Sequence, residues 1–170
     1  MNKWVWADLH LGHKNICEFN GVNGLKLRPW NNIDEMHEVL INNHNSVVSP
    51  KDTVYYLGDV CINKKFIHLL SLFNGRKILV KGNHDIFDLK YYLPYFDDIR
   101  AFDVKDRIVM SHIPIHDSSK QRYIGNIHGH LHDGCLEDPF YLCVSVERIN
   151  YTPVLFEDCV KKIKENTKVD

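Results

Sequence analysis

Three histidines fall at alternate positions in "GNIHGHLHDG", residues 125–134: His128, His130 and His132. Crowded neutral imidazoles suit a metal ion. In an extended strand, alternate residues face one side, so this spacing can bring them together. Side chains of the same chemistry recur along the chain: Asp8 and His10 in "DLH", Asp59 in "LGD", Asn83 and His84 in "GNHD", and His112 in "MSH". Each has a plainer role when taken alone, since Asp and Asn form turns and caps and a lone histidine can be a hydrogen-bonded core residue. Taken together, Asp8, His10, Asp59, Asn83, His112, His130 and His132 form a mixed nitrogen and oxygen donor set. It suits Mn²⁺, Fe or Zn²⁺ better than Ca²⁺, which prefers oxygen alone. So many donors exceed what one tetrahedral ion takes. They fit two ions sharing a carboxylate. Two cations about 3.5–4 Å apart clamp a phosphoryl group, and a hydroxide between them attacks it in line. A free histidine nearby can protonate the leaving oxygen.

The elements that must position these groups are short. The run "KWVWA" (3–7) reads as a strand, and 8–32 as a long loop with little periodicity. Residues 33–48 carry apolar side chains at helical spacing, with Asp34 and Glu35 in the first turn. "TVYYL" (53–57) and "KILVK" (77–81) read as buried strands, with a helix over 64–73 between them. A hairpin is expected over 102–112, a polar loop over 113–122 and strands over 123–128 and 140–149. An amphipathic helix over 153–166 follows. Metal-capable residues stand at the ends of the apolar strands, where α/β domains build their sites. Alternating strands and helices, then mostly strands, predict a layered α/β domain with two packed sheets. With 170 residues the whole chain, 1–170, is expected to be one domain.

A net charge of −1 and a pI of about 6.8 give no sign of an extended DNA groove. The five cysteines, Cys17, Cys61, Cys135, Cys143 and Cys159, are odd in number and none pair at C-x-x-C spacing. Reduced thiols in a cytoplasmic protein are the simplest expectation. No secretory leader and no membrane span are expected.

The ordered blocks "DLH", "GD", "GNHD", "SH" and "GHLH" resemble the signature of the calcineurin-like metallophosphoesterases. The stretch "DLHLGHKNI…RPW…MHEVLINNHNSVVSPKDTVYYLGDV" further resembles a small cap-less bacterial and phage branch. The resemblance implies a four-layer α/β/β/α sandwich of two mixed sheets. It implies that Asp8, His10 and His132 hold a first metal, that Asn83, His112 and His130 hold a second, and that Asp59 bridges them. His84 would steady the transition state and protonate the leaving group, with Asp85 orienting it. Mn²⁺ is the first candidate metal, with Fe, Zn²⁺ or Ni²⁺ as alternatives. The activity implied is hydrolysis of phosphate esters, with diesters slightly favoured and a nucleotide or RNA end as candidate substrates. Phosphomonoesters, nucleoside polyphosphates, and a metal-binding scaffold without catalysis are the alternatives. No membrane partner is expected.

Outside the blocks the expectations are weaker in chemistry. His128 precedes "GHLH" and reads as packing or support, with substrate contact as the alternative. Loop cations Arg28, Lys120 and Arg122 read either as solvated or as phosphate contacts. His13 and His116 flank the site, whereas His37, His44 and His68 read as ordinary surface or half-buried helix residues. Trp4 and Trp6 read as core or sheet-face residues.

Overall fold

The fold was obtained as a computed structural model, which describes residues 1–167. Strands β1 (Lys3–Trp6), β2 (Thr53–Tyr56), β3 (Arg76–Val80) and β4 (Asp98–Arg100) are parallel, and β9 (Val154–Leu155) runs antiparallel beside β1. They form one sheet in the order β4-β3-β2-β1-β9. The second sheet has the order β5-β6-β7-β8, from β5 (Asp103–Lys105), β6 (Ile108–Ser111), β7 (Gly125–His128) and β8 (Tyr141–Cys143). Only β5 is antiparallel to its neighbour there. The expected α/β architecture of two mixed sheets with flanking helices is therefore present.

Strand alternation divides the core in two. On one face of the first sheet, Trp6, Tyr56 and Leu79 pack under helix α1 (Ile33–Val47) and a 3-10 segment (Lys64–Leu72). On the other face, Val5, Leu57 and Val80 meet Ile108, Met110 and Ile127 of the second sheet. Burying each such side chain contributes roughly 1.5–3 kcal/mol. Helix α2 (Phe156–Thr167) inserts Phe156, Cys159 and Ile163 into this inter-sheet core. Lys3, at the start of β1, pairs with Glu157 of α2 at 3.6 Å. The helix therefore closes the end of the sandwich opposite the strand ends that carry the conspicuous polar residues. The outer face of the second sheet is covered by the segment 113–123, where Ile115 N–H donates to Asn126 Oδ1 at 2.9 Å.

Several boundaries differ from the sequence expectation. Residues 64–72 wind as 3-10 rather than α-helix. The expected strand 140–149 stops at Cys143, because Ser145 leaves β8 to bridge to Ala7 of the other sheet. The predicted helix 153–166 begins at Phe156, its first residues forming the edge strand β9. His37 and His44 are not surface residues. His37 is buried and accepts from Gly12 N–H at 2.9 Å. His44 is fully buried beside Trp6 and Tyr56, and burial pushes its pKa down to about 4.

Candidate metal centre

Parallel register brings the ends of β1, β2 and β3 level, and the ends of β6, β7 and β8 level. The chain continues in register past β1: Asp8 N–H donates to Gly58 O at 3.0 Å and His10 N–H to Asp59 O at 2.9 Å. Here the backbone turns left-handed. Asp8 (φ 62°), His10 (φ 51°), Asp59 (φ 53°), His130 (φ 71°) and His132 (φ 51°) all have positive φ. Such conformations cost on the order of 1–3 kcal/mol each in residues with a Cβ and cluster at functional sites. The histidine row is thus not a strand face. β7 ends at His128, and His130 and His132 reach the centre from the turns beyond it. Two glycines admit the close approach: a Cβ at Gly58 (φ 89°) would lie 2.5 Å from His112 Nδ1, and one at Gly129 would lie 2.6 Å from Asp8 Oδ2.

Seven side chains converge. Asp59 Oδ2 lies 3.7 Å from His10 Nε2 and 3.3 Å from His112 Nε2. Asp8 Oδ1 lies 3.7 Å from His10 Nε2. Donor atoms of Asp8, His10 and His132 lie within 4.8 Å of one another, as do those of Asp8, Asp59 and His112. The ring of His132 is 4.9 Å from that of His10, and the ring of His130 is 5.1 Å from that of His112. Asn83 Oδ1 sits 2.9 Å from His112 Nε2. Among the described residues, both ring nitrogens of His10 and Asp8 Oδ1 are buried without a hydrogen-bond partner, an arrangement that is costly unless something binds there.

The tautomers point the same way. His112 Nδ1 donates to Leu57 O at 2.8 Å, and His132 Nδ1 donates to Glu147 Oε1 at 3.1 Å. Each leaves its Nε2 lone pair for a ligand, as supported metal-binding histidines do. His112 Nε2 faces the Asn83 amide and Asp59 Oδ2, an arrangement that a cation shared among the three would satisfy. Burial works to raise Asp8, but His10, His112 and His132 outweigh it and hold its carboxyl at about 2. Burial likewise works to raise Asp59, and His112 outweighs it. His10 and His130 are pushed down by burial. His112 and His132 are raised instead, because Asp59 and Glu147 outweigh burial. Ionised carboxylates therefore face four imidazoles, a nitrogen and oxygen donor set that suits a divalent cation once the ring protons leave.

The profile of one protein family, "Calcineurin-like phosphoesterase", matches residues 1–168. The chain belongs to that family. It is 35% identical to the uncharacterized protein MJ1445 of Methanocaldococcus jannaschii over 98% of this chain and 93% of that one. It is 36% identical to the Gene 66 protein of Mycobacterium phage L5, over 49% of this chain and 40% of that one. A crystal structure titled as a protein of unknown function, AQ665 from Aquifex aeolicus, superposes with a TM-score of 0.72 at 26% identity. It covers 94% of this chain and 98% of its own. Calcineurin-like phosphoesterases hydrolyse phosphate esters with divalent metals at a dinuclear site, and the Asp/His groups here fit such a site.

Residues outside the motif blocks also support the centre. Ser145 Oγ donates to Asp8 Oδ2 at 2.7 Å, and His130 N–H donates to the same oxygen at 2.9 Å. Glu147, its side chain 2% exposed, accepts from His132 and from Arg28 Nε at 2.9 Å. Burial works to raise the Glu147 carboxyl, and Arg28 and His132 outweigh it. The sequence signal for Glu147 is an acidic residue inside the apolar stretch "FYLCVSVERI", which has to find a partner once buried.

Two expectations, for Arg28 and Asp85, need correction, while His128 and Arg122 keep their first readings, packed and solvated, over substrate contact. Arg28 is neither solvated nor a substrate contact. It is fully buried beneath the centre, donating to Leu9 O at 2.7 Å and to Asp8 O, because its guanidinium is the partner Glu147 needs. His128 is also fully buried, its Nδ1 bonded to Gly129 O at 2.7 Å, and cannot reach substrate. Arg122 is exposed at the end of a 3-10 segment (Asp117–Arg122), and Ser119 and Tyr123 rather than Arg122 line the cleft beside the centre. Asp85 does not orient the His84 ring. Its carboxylate accepts from the N–H groups of Asp59 (2.8 Å), Gly82 (2.8 Å) and Val60 (3.0 Å), locking two ligand loops together. Lys120 is held by Asp117 and Asp138. His84 is exposed, its ring 5.8 Å from that of His10, and its backbone N–H donates to Asp59 Oδ1 at 2.8 Å.

Proposed function

We propose that this chain is a dimetal phosphodiesterase. One observation supports the reading: Asp59 Oδ2 lies within 3.7 Å of His10 Nε2 and 3.3 Å of His112 Nε2, near a donor of each proposed ion position. Asp8, His10 and His132 would hold one ion, and Asn83, His112 and His130 the other, with Asp59 shared. Bound cations supply Lewis acidity, making a water nucleophilic at neutral pH and drawing charge from the phosphoryl oxygens. The chain's own residues do the rest. The left-handed turns and the Asp85 clamp hold the ligands before substrate arrives, so little reorganisation remains. His84, exposed at the edge of the centre, donates a ring N–H proton to the leaving oxygen.

The preference for diesters has its own support. A phosphomonoester brings a second negative charge, which Arg or Lys side chains commonly hold. Arg28 is buried beneath the centre, and Lys81 is the one lysine or arginine among the described residues lining the adjacent cleft. The test is hydrolysis of bis-p-nitrophenyl phosphate against p-nitrophenyl phosphate, with Mn²⁺ and with a chelator. Mn²⁺-dependent cleavage of the diester at the higher kcat/KM is expected. Cleavage of the monoester alone would replace the diesterase reading with a phosphatase.

A further inference from the structure

A cleft of about 550 Å³ opens directly beside His112 and Asn83, between the end of β3 and the segment 113–123. That volume is within the range of small-molecule sites. Its walls carry two aromatic rings, Phe102 and Tyr123, and the aliphatic side chain of Ile113. Phe102 is 56% exposed and Ile113 52% exposed. Both line the cleft beside the proposed centre, where a bound substrate would cover them. No carboxylate lines the cleft among the described residues, and Lys81 is its one lysine or arginine. An anionic ester therefore meets no carboxylate among the residues described as lining the cleft, and the two aromatic residues suit a planar ring.

We infer that this cleft holds one arm of the diester, and that the arm is a nucleoside whose base lies against Phe102 and Tyr123. The inference rests on the diesterase reading and adds the chemical class of the substrate. Any base has a π-face, so the cleft would favour nucleosides over alkyl alcohols without selecting one base. His112 and Asn83 line both the cleft and the second metal position, so a nucleoside seated there brings its phosphate to the centre without a further pocket.

The test compares thymidine 5′-(p-nitrophenyl) phosphate with methyl p-nitrophenyl phosphate on the Mn²⁺-loaded protein, since both release the same chromophore. The nucleoside ester should show a KM lower by roughly tenfold, the value of about one stacking contact. In the F102S/Y123S double variant that ratio should fall to about one. Equal KM values in the wild type, or an intact preference in the double variant, would overturn the inference. If neither ester is cleaved, the diesterase reading fails by itself, and binding decides the cleft. Titrated thymidine monophosphate should then shift the amide resonances of Phe102 and Tyr123, and unmoved resonances would overturn the inference.

Discussion

Most proposed ligands of aspartate and histidine type come together on backbone that is bent left-handed. Asp8, His10, Asp59, His130 and His132 all sit at positive φ, together worth several kcal/mol of local strain that the packed sheets beneath must hold. The residue types and their order were legible in the sequence, since few side chains bind divalent metals. The left-handed turns were not, because Asp and His adopt such backbone only at a minority of positions and tertiary contacts decide which. Nor was the role of Asp85 legible, whose partners are backbone N–H groups far apart in the chain. His84 differs from its neighbours in lying outside the donor cluster. His84→Ala should therefore retain the metal content while lowering kcat for a poor leaving group by about 10²–10⁴-fold. The loss should shrink for nitrophenolate, which needs no proton. Equal losses for both leaving groups, read from steady-state rates, would remove His84 as the proton donor.

At the scale of elements, the strands under the centre were legible because they are buried on both faces and so read as apolar runs. β4 and β9 were missed, being short edge strands of three and two residues. The loop 8–32 has no periodicity, yet much of it is fixed by side chains the sequence could not pair. His37 of α1 accepts from Gly12, and Arg28 reaches Glu147 and the carbonyls of Asp8 and Leu9. A buried ion pair broken on one side leaves an unpaired charge, which costs about 3–5 kcal/mol. Arg28→Met should thus lower unfolding stability in urea by about that amount, and adding Glu147→Gln should recover part of it. A single variant as stable as the wild type would show that the pair does not hold this loop.

Across the whole molecule, the centre lies on a seam. Asp8, His10, Asp59 and Asn83 follow strands of the first sheet, while His112, His130 and His132 follow strands of the second. The sheets join there through the Ala7–Ser145 bridge, and α2 closes the opposite end. Two layers were predictable from the alternation of apolar strands and helices. The joining was not, because a bridge formed by Ser145 depends on tertiary placement. Among the described residues, no helix is long and apolar enough to cross a membrane. A site assembled from both sheets exists only in the folded chain, so metal binding and folding stabilise one another.

On the dimetal proposal Asp59 serves both ion positions, and metal stoichiometry tests that role. Wild-type protein and Asp59→Asn would be dialysed against Mn²⁺, freed of loose ions and analysed for metal per folded chain. The wild type should retain two ions, and Asp59→Asn should lose tight binding of both, since one side chain serves the two positions. One ion in the wild type, or two retained in Asp59→Asn, would contradict a bridged dimetal centre.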